Sequence, residues 1–522
     1  MARADDWRTY MALKASQRLT KASSTPVLTP GYISKWLQQP LTDWRFAELF
    51  DAAFPGQFKC VDATSKDFFR FTNHRWVANA GGDVSKLMSV HLHDALHEHA
   101  RSLVDESVRK KAYRASLEFQ CVTRKDKIKR ALVGLTGDPT FVERLDSKVN
   151  LLGFDNGVYD LDAAQFWGVR PEDAITFSVG YEYTPNVEMS IRAEVLAFVH
   201  SIFGNAEVEE YVLLITASCL HGYRRFEEFY FHTGVGRNGK GALAELFAFV
   251  FGDYMGTMDT TFFTQPRKNS SGSQPELANK KGVRYLSARE AEDKEKIQVA
   301  KLNKITGGDP IETRGLFGKP FTYKPQFGIH FHFNALPKLS RSGQKASEER
   351  TRVVEYPNVF TSNPAPNTNQ RLADPDIKQT KVSSLEWRQQ TMLMLLELFH
   401  TKVKGQKSLK PPAAVKQAAE GYLDGCNPAK AWVDQNYRME DIKNARVLVT
   451  DLYLAYKKSC DDAVDQHSFN AGVEAMGVVK RKISRLYWCG LRELSDDEKK
   501  ARQDDAEQAA AEQDAALETI SL

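Results

Sequence analysis

The sequence predicts an α/β protein built around a central, mostly parallel sheet, and three observations predict it. Between about 191 and 360, short apolar runs of strand character at 229–233, 283–288, 328–333 and 353–356 alternate with helical segments. Alternation of this kind is how parallel strands joined by crossover helices read in sequence. The first run, Phe-Tyr-Phe-His-Thr, leads through a glycine-rich turn into Lys240 and the helix-forming stretch ALAELFAFVF. On either side the pattern changes to amphipathic helices and short hairpins, which marks flanking domains.

The chain of 522 residues is too long for one ordinary domain. Its 42% hydrophobic and 26% charged residues exclude a disordered, collagenous or coiled-coil chain. Six segments are expected. Residues 1–45 read as a basic arm with one short helix, and 46–190 as a mostly helical domain with hairpins at Asn73 and at Asn156-Gly157. The α/β core follows over 191–360, then a linker and helical segment over 361–427. Residues 428–493 show three helical patterns ending in a strand at 483–490, an order that suits a winged-helix module, and 494–522 form an acidic tail. The net charge of +4 hides a division. From Ser495 onward nine acids face three bases, which leaves +10 on the rest of the chain. A mildly basic body is compatible with nucleic acid. Six single cysteines, none in a Cys-x-x-Cys pair, point away from structural zinc or disulfides and toward a reducing compartment. No apolar segment opens the chain or is long enough to span a bilayer, so a soluble intracellular protein is expected.

Five segments carry chemistry. Gly234, Val235, Gly236, Arg237, Asn238, Gly239 and Lys240, followed by Gly241 and Ala242, make a strand–loop–helix of phosphate-binding type. Glycines let backbone N–H groups converge on phosphate oxygens, the helix start adds positive potential, and the lysine reaches the β- and γ-phosphates. Gly241 stands where such loops ordinarily carry a Ser or Thr for Mg²⁺. The second segment is the strand ending Arg289-Glu290-Ala291-Glu292, where Glu290, then Glu292, is the candidate for metal binding and water activation. Third is a hairpin-like stretch in which Arg314, Lys319 and Lys324 alternate with Phe317 and other aromatics, a mixture suited to single-stranded nucleic acid. The same pattern also fits an ordinary packed hairpin. Fourth, the strand Ile-His-Phe-His-Phe ends in Asn334, an amide placed either to orient a water or to cap a turn. Last, Arg350 and Arg352 precede the final strand, as a surface pair or as a source of positive charge for a neighbour's phosphate. Trp76, Trp167 and Trp432 read as core anchors, and His330 and His332 as structural.

Taken in order, GVGRNGKG, VRYLSAREAE, KITGGDPIETRGLFGKPFTYKPQF, FNALPK and RTRVVEYP resemble the motifs of superfamily 3 helicases, of the poxvirus and phage or plasmid primase-helicase type. The resemblance covers about 45–492 and includes the preceding helical domain and the C-terminal winged-helix domain. It implies an AAA+ type P-loop ATPase that forms a homo-hexameric ring, uses ATP and Mg²⁺, and acts on single-stranded and forked DNA at a replication fork. It also implies roles for single residues. Lys240 would bind the β/γ-phosphates, Glu290 would polarise water or metal, and Asn334 would be the sensor. Arg352, with Arg350 as alternate, would be a finger acting on the neighbouring subunit, and Phe317 and Lys319 would reach the central channel. Relatives often carry a primase domain for which residues 1–45 are too short, so a separate primase or polymerase is an expected partner. In a viral setting the protein would work in the host cytoplasm or nucleus. Gly241 keeps a rival reading open, a nucleotide-binding but weakly hydrolysing initiator or loading ring. In the C-terminal module, Lys480, Arg481, Lys482 and Arg485 are expected to meet duplex or a partner.

Overall fold

The computed structural model describes residues 28–502, apart from 79, 224–225, 266–274, 290–295, 315–319, 341–348, 428, 441–444, 461–462 and 483. Its centre is a sheet of five strands: β1 (Phe229–Thr233), β2 (Met255–Asp259), β3 (Tyr285–Arg289), β4 (Gly328–His332) and β5 (Thr351–Glu355). They lie in the order β5-β1-β4-β3-β2, and every neighbouring pair is parallel. Four of them fall on the apolar runs read from the sequence. The fifth, β2, was not foreseen, because only Gly256 and Met258 of Met-Gly-Thr-Met-Asp are buried.

Alternation along β1 and β4 sorts the sheet into two unlike faces. Phe229 and Phe231 lie beside Ile329 and Phe331 on one face, where the helices Val299–Thr306 and Ala413–Cys426 cover them through Leu302, Ile305 and Ala419. Tyr230 and His232 lie beside His330 and His332 on the other. There α1 (Lys240–Phe251) packs through Leu243, Leu246 and Phe247. The second face is built from stacked rings: Tyr285 on His330 at 3.9 Å and His232 on His332 at 4.7 Å between centroids. His232 also links Tyr356 and His330 through contacts of 3.1 Å at its two nitrogens.

Three segment expectations change on folding. Residues 30–45 are not an arm. The helix Pro30–Leu37 buries Ile33, Trp36 and Leu37 against Phe46 and Phe50 of the helix Asp43–Ala53, because three large apolar groups at helical spacing need a partner. Nor is 190 a packing boundary. Leu152, Phe154, Tyr159 and Tyr181 share one core with Phe247 and Phe251 of α1. The fully buried Arg284 sends its guanidinium to the carbonyls of Val149 and Leu151, at 2.5 and 3.3 Å. The linker expected within 361–427 is the shorter part, because the helical segment expected there supplies the helix Leu385–Leu398, which shares a core with α1, and the helix Ala413–Cys426, which covers the opposite face of the sheet.

The C-terminal module has its own core of Trp432, Tyr456, Phe469 and Trp488. Helices Lys430–Asn436, Val449–Ser459 and Gln466–Ala475 alternate with strands, and Arg446–Leu448, Leu486–Cys489 and Val479–Lys482 form an antiparallel sheet in that order. The strand expected at 483–490 is therefore the return arm of a hairpin, shorter by its turn. Lys480 is bound within the module, 2.7 Å from Glu474 and 4.6 Å above the Trp488 ring, whereas Arg481, Lys482 and Arg485 are exposed. Among the described residues no helix is long and apolar enough to cross a membrane.

The buried histidines make stability depend on pH. Burial, with the Lys240 charge adding to it, holds the His232 imidazole down at about 3, and burial holds His332 well below its ordinary value. In the unfolded chain both titrate near 6.5, so the unfolded state takes up protons first as the pH falls. Stability is therefore full above about pH 7 and is lost below it, by about 2 kcal/mol at pH 5 for His232 alone. The melting temperature should drop between pH 7 and pH 5. In His332→Phe, which replaces a ring whose nitrogens have no hydrogen-bond partner, that drop should be smaller.

Candidate nucleotide-binding site

Because all five strands are parallel, their C-terminal ends share one edge, and ligands of open α/β sheets bind at such an edge. The loop 234–239 leaves β1 there and turns into α1. Two glycines shape it. Gly239 has φ +78°, and a Cβ on it would lie 2.7 Å from Ile202 and 3.1 Å from Phe360. Gly234 has φ +147°, and a Cβ would meet the Asn238 amide and the Tyr356 carbonyl within 2.7 Å. The loop is further pinned from outside, since the Phe360 N–H donates to the Arg237 carbonyl at 2.7 Å.

Lys240 is the chemical centre of the loop. It is 8% exposed, and burial lowers its pKa. Its ammonium donates to the Gly234 carbonyl at 3.0 Å, to the Phe333 carbonyl, and to Asn334 Oδ1 at 3.2 Å. No described carboxylate pairs with it, so a buried cation is held by neutral oxygens alone. Such a group favours an anion beside it. Asn238 adds a second donor. Its Oδ1 accepts the Lys240 N–H at 3.2 Å, while its Nδ2, in a side chain 3% exposed, has no partner. These residues fit a phosphate group.

Asn334 thus stands beside Lys240, and Thr233 Oγ1 donates to its carbonyl at 3.3 Å. Glu290 and Glu292 lie outside the described residues, just beyond β3. So do Phe317 and Lys319. Mg²⁺ needs hard oxygen donors. Gly241 is exposed and offers no side-chain oxygen, while Asp259 and Glu355 end β2 and β5 on the same edge. Neither acid stood out in the sequence. The signal for Glu355 is register alone, because it lies level with Thr233. Among the described residues no group of three or more His, Cys, Asp or Glu side chains could hold a metal ion.

The remaining candidates lie on the opposite edge. Arg352 is level with Tyr230 near the start of β1, three residues before Thr233, which is about 10 Å along a strand even before the loop begins. Its guanidinium donates to Glu228 Oε1 at 2.6 Å, and Tyr230 holds the other oxygen of that carboxylate at 3.0 Å. Arg350 pairs with Glu227. Arg314, exposed, follows the first strand of the antiparallel hairpin Ile311–Thr313 and Phe321–Tyr323, and Lys324, also exposed, lies at its root, where the chain leads into the start of β4. Two chemistries therefore occupy the two edges of one sheet.

Fold and loop together define an α/β core with a parallel sheet and a glycine-rich strand–loop–helix at one edge. Residues 45–204 match the family described as D5 N terminal like. A protein of Acanthamoeba polyphaga mimivirus is 28% identical over 421 residues, covering 76% of this chain and 43% of its own length. Proteins of Invertebrate iridescent virus 3 (25% identical, 61% of this chain, 35% of its own) and of Sputnik virophage (24%, 66% and 45%) also match. All three carry the name "Putative helicase". The chain spans less than half the length of these relatives. The solved C-terminal region of NrS-1 aligns over 81% of this chain and 93% of its own, at 12% identity and a TM-score of 0.38. The resemblance drawn from the motifs stands: this chain is similar to viral helicases of the D5 type.

The loop geometry sets an expected outcome for substitution. Gly239→Ala should cost about 2–4 kcal/mol, from the left-handed backbone and the overpacking against Ile202, and weaken nucleotide binding at least tenfold. Gly241→Ser meets nothing within 4 Å and should fold and bind as the natural chain does. Titration with a fluorescent ATP analogue reads both.

Proposed function

We propose that this chain is the subunit of an ATP-driven DNA helicase that assembles as a hexameric ring, translocates on single-stranded DNA and unwinds forked duplex. The observation that carries the reading is the buried Lys240 ammonium, held among the described residues by neutral oxygens at the mouth of a glycine loop and beside Asn334. Lys240 and the Asn238 amide would hold the phosphates, and Asn334 would orient water at the γ-phosphate. Glu290, with Glu292 in reserve, would supply the acid for metal and water. Bound Mg²⁺–ATP would bring the phosphoanhydride whose cleavage releases the energy for movement. In this reading the core is of AAA+, superfamily 3 type, and the C-terminal module is a winged helix, its strand order and hairpin being those of that motif.

Arginines at the far edge can serve a nucleotide only if it belongs to the next subunit. Freeing Arg352 would break a contact of 2.6 Å to the Glu228 carboxylate, which is 6% exposed. Glu227 is exposed, so Arg350 is released at lower cost and is the better finger. This reverses the order of preference taken from the motif alone. Gly241 supports the second reading, a ring that binds nucleotide but hydrolyses it slowly, because the metal loses one oxygen ligand there.

ATP turnover with and without single-stranded DNA separates the two readings, with Lys240→Ala as the blank. DNA-stimulated turnover that vanishes in Lys240→Ala supports the motor. Turnover at the level of the blank, raised in Gly241→Ser, supports the slow ring. Action across subunits has its own test. Lys240→Ala and Arg350→Ala chains, each inactive alone, should regain a fraction of the turnover when mixed, and no recovery would contradict a finger supplied by the neighbour.

A further inference from the structure

The N-terminal edge of the sheet holds a cleft of about 730 Å³, a size that accommodates a nucleotide or more. Its walls come from segments that enter the sheet. Tyr223 lies in the run leading to β1, Gly307 and Gly308 before the first hairpin strand, Lys324 between the second hairpin strand and β4, and Lys407 on the turn past the helices of the other face. It therefore opens at the root of the hairpin and on the side of the sheet away from the phosphate loop.

Its chemistry selects the occupant. Tyr223 is 60% exposed, which offers a ring face on the wall. Of the two lining carboxylates, Glu227 is spent on Arg350, and Glu143 lies near Lys281. Lys324 and Lys407 are exposed and pair with no described acid, so their charges stand uncompensated in the cleft. Gly308 carries no side chain, and nothing lies within 4 Å of where its Cβ would be, so a ligand can approach the backbone there. An exposed ring and lysines with no described acid beside them, on the walls of one cleft, suit a single strand, with bases on the ring and phosphates on the lysines.

We infer that this cleft is a second seat for single-stranded nucleic acid, taking one or two nucleotides with a base against Tyr223 and phosphates at Lys324 and Lys407. The inference rests on the proposed action on single strands and extends it from the hairpin tip to the hairpin root. It adds Tyr223 and Lys407, which no motif marks.

The test uses the full chain and a labelled oligothymidine, with anisotropy read over a range of salt. Tyr223→Ala should weaken binding about 5- to 100-fold, and Tyr223→Phe should restore it. Lys407→Ala should lower the slope of log affinity against log salt by about 0.7. Crosslinking with an iodouracil-bearing strand should mark Tyr223. Both side chains are exposed, so an unchanged melting temperature certifies that the variants are folded. Binding and salt slopes equal to the natural chain in Tyr223→Ala and Lys407→Ala, with no crosslink at Tyr223, would overturn the cleft while leaving the helicase reading intact. A natural chain that binds no oligothymidine at all would overturn both.

Discussion

The parallel direction of all five central strands is the constraint on which the rest of the molecule depends. It gathers every strand end of one kind onto one edge and every strand start onto the other. The phosphate loop, Asn334 and Glu355 collect on the first edge. The hairpin root, the two arginines and the cleft collect on the second. β1 lies in the interior of the sheet, between β5 and β4, so the loop that leaves it is flanked by residues from both neighbours. Asn334 approaches Lys240 from β4, while Tyr356, just past β5, closes on Gly234. Reversing any one strand would carry its share of the site to the wrong side.

The loop is also held together by its own contacts. Its backbone donor at Lys240 is taken by Asn238, and its ammonium by two carbonyls and an amide. Each of these acceptors is neutral, and a charged acceptor bonds such donors more strongly. The stacked histidines below stay neutral, and Lys240 itself helps to keep them so.

The fold was legible in the sequence where strands were apolar and caps were distinctive. The run Phe-Tyr-Phe-His-Thr is β1 residue for residue, and glycines at 234 and 239 mark the two places where the backbone needs them. β2 escaped because an edge strand with one covered face carries little apolar signal. A short helix was expected somewhere in 1–45 but not placed at Pro30–Leu37, because Thr-Pro-Gly reads as a breaker, yet Thr29 caps the helix and Pro30 begins it. At the site, Lys240 and Asn334 could be paired from motif order alone. Glu227 and Glu228, which decide what the arginines can do, could not, since ion pairs between distant segments leave no local trace.

One consequence follows from β4. It carries the hairpin root at its start and ends two residues before Asn334, and Gly328–His332 is buried throughout and bonded to a strand on each flank. A strand laddered on both sides cannot slide along its own axis without breaking two rows of hydrogen bonds at once. β4 is therefore a stiff strut, and its two ends keep a fixed separation. A displacement of the hairpin root along β4 is therefore shared by Asn334 at the other end, so the unit of motion is the sheet and not the loop.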